Sequence, residues 1–212
     1  MLRACLLLAC WAGLAPLGNT APVVTTALAV VEHALVRRAA AGPMMGGVNF
    51  PDPSIIKVDG VWYLFATRTR GNNINIQIAT SPDFQTWRLV KNSDGKQKDA
   101  LPALPAWVLS SSPNTWAPDV KRLSTHRFIM YYSATATADS AKHCVGAAVA
   151  SSVTGPYRPV GTAALICPLA EGGAIDASGY EEHGRRYIVY KIDGNSLGSG
   201  GACNNDSTAR HV

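Results

Sequence analysis

The sequence of 212 residues lacks any long run of charge of one sign. Its 19 Lys and Arg outnumber its 14 Asp and Glu, giving a formal net charge of +5, yet no more than two basic residues are ever adjacent. A nucleic-acid-binding surface concentrates basic residues in a stripe or patch. We therefore predict that nucleic acid is not a partner. The 47% of hydrophobic residues excludes an intrinsically disordered chain.

The sequence also lacks the patterns of a metal centre and of a helical fold. Its five cysteines include no CxxC pair, and His143 adjoins Cys144 without the spacing of zinc ligands. We therefore predict no zinc site. No cofactor is expected, and a central metal ion is compatible with the sequence but not indicated by it. Beyond the N-terminal segment no stretch shows sustained helical periodicity, which disfavours helix-rich folds.

Long apolar runs are absent except at the N-terminus. There, one basic residue precedes an apolar stretch that extends to about Ala15 and is followed by small residues, the pattern of a secretory signal. The stretch is too short for a membrane span, and cleavage after Ala15 or after Ala21 fits the pattern. We predict a signal peptide over residues 1–21, a leader or linker over 22–45, a folded domain over 46–212, and a secreted protein.

Cysteine counting gives one further expectation. Cys5 and Cys10 lie in the signal segment, so Cys144, Cys167 and Cys203 remain in the mature chain. We predict a Cys144–Cys167 disulfide, with Cys203 unpaired. An odd cysteine in a secreted chain suggests a partner outside this sequence.

A repeat runs along the rest of the chain. Asp52, Asp119 and Asp176 are each followed by a strand, a turn and a second strand rich in β-branched and aromatic residues. The aspartates are about 60 residues apart, which is typical of the four-stranded blades of a β-propeller. The predicted fold is therefore all-β. Because the innermost strands of a propeller start around one opening, the three carboxylates should meet there.

The first of these aspartates has an unusual setting. Asp52 lies between Pro51 and Pro53, and a proline favours extended geometry in the residue before it. We therefore predict that Asp52 is held in a rigid, extended segment.

Three motifs occur in one order: "FPDPSII", "TWAPDV" and "GGAIDASGY". Together they resemble glycoside hydrolase family 43, the arabinanases, arabinofuranosidases and β-xylosidases, from about Asn49 to the end of the chain. The resemblance implies a five-bladed β-propeller, of which this sequence is expected to hold about the first three blades.

The resemblance also implies roles for individual residues. Asp52 matches the general base that activates water, and Asp176 matches the aspartate that tunes the pKa of the general acid, although Ala177 stands where proline is usual. Trp116 and Asp119, in the "WAPD" segment, are expected to contact the substrate.

The family's general acid is a glutamate in a later "EGP"-like segment, beyond the third-blade hairpin and so expected outside this chain. Glu171 resembles that motif superficially, but it precedes Asp176 and is expected to be a loop residue.

These expectations combine into a functional hypothesis. The protein is predicted to be a secreted, monomeric hydrolase that cleaves plant cell-wall arabinan or arabinoxylan with inversion and is incomplete as given. The alternative is a catalytically inactive propeller remnant that binds carbohydrate. A third interpretation is a resemblance to the sucrose-cleaving five-bladed enzymes. It is disfavoured because those enzymes carry an "NDPN"-type motif, which "FPDPS" fits poorly. We also expect Trp62, Trp87 and Tyr187 in the core, and a glycosylation sequon at Asn205.

Overall fold

The computed structural model describes residues 45–69, 71 and 73–197. These residues lie in one compact unit, Ala41–Val212. The predicted signal peptide and nearly all of the leader fall outside the described residues, as do Cys203 and the Asn205 sequon. Among the described residues no helix is both long and apolar enough to cross a bilayer.

The first sheet has four antiparallel strands in sequential order, which is the predicted pattern of a blade. Its strands are β1 (Ser54–Val58), β2 (Val61–Ala66), β3 (Gln77–Ser81) and β4 (Arg88–Leu89). Asp59 and Gly60 form the predicted turn between β1 and β2, with φ of 48° and 86°. Positive φ at both central residues is the geometry of a tight hairpin turn.

The second sheet repeats this arrangement, again in sequential order. Its strands are β5 (Trp116–Ser124), β6 (Arg127–Ala136), β7 (Asp139–Ala150) and β8 (Arg158–Pro159). A hairpin follows, made of β9 (Ala174–Glu182) and β10 (Arg185–Ile192). Short 3₁₀ turns cover Leu169–Glu171 and Gly194–Leu197, so Glu171 is a connecting residue rather than part of a strand.

The core divides on the two faces of β6. Met130 and Tyr132 pack in the main cluster, which includes Phe65 and Ile78 of the first sheet. Tyr131, between them in sequence, packs with a smaller cluster that includes residues of β7 and β9. Alternate residues of a strand point to opposite faces. β6 therefore packs against the first sheet on one face and against the third hairpin on the other.

The predicted disulfide is present in the structure. Cys144 of β7 and Cys167 are joined, with Cα atoms 4.7 Å apart. The bond ties β7 to the segment that leads into the third hairpin.

The expected burial of three aromatic residues is wrong. Tyr187 is 46% exposed. Trp62 and Trp87 are partly buried but lie outside both core clusters and pack edge-on against the exposed ring of Phe84. A place in a strand does not by itself show whether a side chain faces the core or the solvent.

Candidate active site

Asp52 and Asp176 occupy equivalent positions in the first and third units. Ser54 of β1 pairs with Phe65, and Ser178 of β9 pairs with Val189. Each partner lies four residues after the first residue of its own strand, β2 or β10. Asp52 and Asp176 each precede the corresponding serine by two residues. Both aspartates are exposed, and both have positive φ, 50° and 56°. Two exposed carboxylates therefore lie near the start of the first strands of their units in the same unusual backbone conformation, Asp52 just before β1 and Asp176 as the third residue of β9.

The predicted extended geometry of Asp52 is wrong. Proline disfavours the right-handed helical region in the residue before it, and the structure meets that restriction with a left-handed φ instead. Such a conformation costs about 1–3 kcal/mol in a residue other than glycine. Conformations of this kind persist where the surrounding structure holds them, most often at functional sites.

Thr67 fixes the carboxylate of Asp52. Its Oγ1 donates a hydrogen bond of 2.7 Å to Oδ2 of Asp52, and its N–H donates to the carbonyl oxygen of Pro51 at 3.1 Å. Oδ1 of Asp52 makes no hydrogen bond to any described residue. One oxygen is thus held by the protein while the other faces outward.

Asp119 does not continue the repeat, contrary to prediction. It lies inside β5, at the register of Ser54 and Ser178, and an irregularity between Arg122 and Ser124 adds a residue to the strand on the turn side of it. Trp116 pairs with Ser133, and the corresponding pair of the third hairpin is Ile175 with Lys191, so the extra residue between Trp116 and Asp119 has a counterpart in β9. Ala117, two residues before Asp119, therefore stands where the first and third units have Asp52 and Asp176.

The carboxylate of Asp119 binds the third unit. It accepts a hydrogen bond of 2.7 Å from the N–H of Gly179 and one of 3.2 Å from Oγ of Ser178, and it lies 3.2 Å from Nζ of Lys121. The expected contact between Asp119 and substrate stays a prediction. The contacts present connect β5 to β9.

A cavity of about 600 Å³ lies where the end of β2, the segment before β5 and the middle of β7 meet. Thr67, Arg68, Trp116 and His143 are among its lining residues. Asp52 does not line this cavity, but it accepts a hydrogen bond from Thr67, which does. Trp116 is half-buried there, so part of its ring is available to a ligand.

His143 is held from three sides. Its Nδ1 lies 3.0 Å from Oδ2 of the buried Asp193, its Nε2 lies 3.5 Å from Oγ1 of Thr135, and its ring meets that of Trp116 edge-on with centroids 4.6 Å apart. Asp193 therefore orients the imidazole, and the imidazole supports the indole of Trp116.

Gly173 makes room for this arrangement. Its φ is +91°, and a Cβ atom at this position would overlap the carbonyl oxygen of His143. The close approach of the two backbones requires glycine.

Sequence reasoning missed three residues of this region: Arg68, His143 and Asp193. His143 was considered only as a metal ligand, and its partner Asp193 is 50 residues away in the chain. The described residues hold no cluster of three or more His, Cys, Asp or Glu suited to a metal ion. The expected absence of a zinc site and of a cofactor stays a prediction.

The model of the family described as "Glycosyl hydrolases family 43" matches residues 43–204, well over half of the chain. The chain belongs to glycosyl hydrolase family 43. This membership confirms the resemblance carried by the three aspartate motifs.

Two curated relatives are similar to the chain. An extracellular endo-α-(1→5)-L-arabinanase of Thermotoga petrophila is 32% identical over 114 residues, covering 50% of this chain and 22% of the relative. Extracellular endo-α-(1→5)-L-arabinanase 2 of Bacillus subtilis is 28% identical over 144 residues, covering 66% of this chain and 29% of the relative. The chain thus spans less than a third of the length of these relatives.

Solved structures are similar in fold. A thermostable family-43 glycoside hydrolase matches with a TM-score of 0.56 and 24% identity over 73% of this chain and 45% of its own. A Bacillus subtilis arabinanase matches with a TM-score of 0.50 and 20% identity over 65% of this chain and 46% of its own. The fold is that of the five-bladed β-propeller glycosidases, as predicted. The described residues form two four-stranded blades and one hairpin of a third.

Proposed function

We propose that this protein is a secreted glycoside hydrolase that cleaves the arabinose linkages of plant cell-wall polysaccharide with inversion. The observation that carries the proposal is the equivalent placement of Asp52 and Asp176, with the same positive φ, in a chain of this family. Arabinan is the first substrate to test because both relatives described above are named as arabinanases.

Asp52 serves as the general base. An inverting glycosidase needs an ionised carboxylate that takes a proton from the attacking water. The exposed position of Asp52 gives water access to its Oδ1, and the bond from Thr67 to Oδ2 fixes the direction in which Oδ1 points.

Asp176 acts on the general acid rather than on the substrate. A nearby negative charge makes a carboxylic acid harder to ionise, so it raises the pKa of the acid and keeps it protonated. The acid itself belongs to the segment that the family places beyond the third-blade hairpin.

Trp116 provides an apolar surface for the pentose ring, since sugars pack their apolar faces against aromatic side chains. His143 and Asp193 hold this indole in place. Asp119 contributes indirectly, because its bonds to Ser178 and Gly179 position the strand that carries Asp176.

The test uses a nitrophenyl α-L-arabinofuranoside, whose leaving group departs with little help from an acid. The rate of nitrophenol release is compared for the unaltered protein, Asp52→Asn and Asp59→Asn. Asp59 is a matched control because it is also exposed and also has positive φ, at the far end of the same strand.

We expect Asp52→Asn to lower the rate by at least about 10²-fold, the usual contribution of a general base, while Asp59→Asn stays close to the unaltered protein. Near-normal activity of Asp52→Asn would remove it from the mechanism. Proton NMR of the first product tests the stereochemistry: an initial β-anomer supports inversion, and an initial α-anomer contradicts it.

A further inference from the structure

A second cavity adjoins the one beside Trp116. It has a volume of about 580 Å³ and includes Asn73, Asn75 and Thr137 in its lining. Arg68 and Pro113 line both cavities, so the two are neighbours with Arg68 at their junction. We refer to the two adjoining cavities together as the groove.

Arg68 brings an unpaired positive charge to this groove. No ion pair among the described residues includes it, and its guanidinium makes no hydrogen bond to any of them. Its backbone is nevertheless fixed, because its N–H donates to the carbonyl oxygen of Thr115 at 3.2 Å. The backbone of this partly buried arginine is thus fixed, while its guanidinium makes no direct bond to a described carboxylate.

The charge of Arg68 acts on the carboxylate of Asp99, but no hydrogen bond or ion pair joins these two residues. Burial raises the pKa of Asp99, and Arg68 lowers it slightly. The carboxylate of Asp99 is occupied by the backbone N–H groups of Asn75, Ile76 and Leu101, at 2.8, 3.1 and 2.8 Å. These bonds leave the guanidinium of Arg68 available.

The groove has no described acidic residue to compete for that guanidinium. Among the described residues that line the two cavities there is no aspartate or glutamate; nearby carboxylates bond to lining residues, Asp52 to Thr67 and Asp193 to His143. The guanidinium of Arg68 therefore has N–H donors available to a ligand in the groove.

We propose that Arg68 binds the carboxylate of a uronic acid residue, so that the preferred ligand is an acidic polysaccharide that carries arabinose. The planar guanidinium offers two parallel N–H donors that match the two oxygens of a carboxylate. This inference deepens the proposed function by naming the substrate class, but the binding it describes does not require turnover.

The experiment measures binding by isothermal titration calorimetry with three probes. These are an oligogalacturonate, a xylo-oligosaccharide bearing glucuronic acid, and a neutral arabino-oligosaccharide. Each is titrated into the unaltered protein, Arg68→Gln and Arg158→Gln. Arg158, an exposed residue of β8, is the matched control because its loss changes the net charge equally. Circular dichroism and the melting temperature check that each variant is folded.

We expect Arg68→Gln to weaken binding of at least one acidic probe by about tenfold or more, the usual worth of a charged hydrogen bond, with the neutral probe unaffected. Arg158→Gln should change neither. The two acidic probes distinguish a galacturonate from a glucuronate ligand.

Three results would overturn the inference: no binding of either acidic probe to the unaltered protein, equal weakening of acidic and neutral probes, or equal weakening by Arg158→Gln. Failure of the proposed hydrolysis is a separate result, because it appears in the nitrophenol assay and leaves the binding comparison intact.

Discussion

Replacing Gly173 with alanine should damage both the stability of the protein and the cavity beside Trp116. Gly173 has φ of +91°, and its Cβ would overlap the carbonyl oxygen of His143. The backbone at His143 would have to move, and the imidazole that touches Trp116 and Asp193 would move with it.

The magnitude follows from comparison with Gly184. That residue also has positive φ, +73°, but a Cβ there would have no neighbour within 4 Å. Gly184→Ala should therefore cost only the left-handed backbone penalty, about 1–2 kcal/mol. Gly173→Ala adds an overlap of packed atoms, which typically costs about 1–3 kcal/mol more.

Urea unfolding measures the difference in the free energy of unfolding between the two variants. The melting temperature is an alternative measure, since it shifts by about 2–4 °C for each kcal/mol. Binding of an arabino-oligosaccharide should weaken in Gly173→Ala and stay unchanged in Gly184→Ala. If Gly173→Ala were no less stable than Gly184→Ala, the close backbone approach between Gly173 and His143 would be refuted.

Three further predictions concern single contacts. Replacing Cys144 and Cys167 with serine should lower the free energy of unfolding by about 3 kcal/mol, because the disulfide closes a 23-residue separation; an unchanged urea midpoint would contradict this. Asp119→Ala should lower the free energy of unfolding by about 1.5–3 kcal/mol, because the hydrogen bonds to β9 are lost. If Asp119 only contacted substrate, the substitution would raise KM and leave stability unchanged. Asp83 accepts hydrogen bonds from the N–H groups of Thr86 and Gln85, which lower its pKa from 3.8 to about 2. Its ionised form therefore stabilises the fold above about pH 4, and this contribution is lost as the pH falls towards 2. The melting temperatures of Asp83→Asn and the unaltered protein should converge over that range, and a gap independent of pH would count against the assignment.

The hairpins could be predicted because their turns carry local signals. Asp59–Gly60 and His183–Gly184 both adopt positive φ at both residues, the conformation that tight hairpins need and that Asp, His and Gly tolerate. The blade order followed from the spacing of these hairpins along the chain.

The position of Asp119 could not be predicted from its place before an apolar strand. The additional residue between Arg122 and Ser124 shifts the register, and a shift of this kind has no signature in hydrophobic alternation. One signal was present: Asp52 and Asp176 both precede a tyrosine by eleven residues, whereas the residue eleven after Asp119 is Met130.

The environment of Trp116 was also beyond prediction. His143 and Asp193 come from different blades, and their contact depends on how the third unit packs against the second. Arg68 follows β2 like many other surface arginines, and only the geometry of the two cavities distinguishes it.

The central claim is that Asp52 is the base and Asp176 modulates the acid. Turnover of a nitrophenyl arabinofuranoside and of arabinan tests it most directly, with Asp52→Asn and Asp176→Asn made in a protein that also carries the expected general acid. A base is needed whatever the leaving group, so Asp52→Asn should lose about 10²-fold or more on both substrates. An acid matters only for a poor leaving group, so Asp176→Asn should lose much more on arabinan than on the nitrophenyl substrate. Equal losses on both substrates for Asp176→Asn, or a loss confined to arabinan for Asp52→Asn, would contradict the assignment.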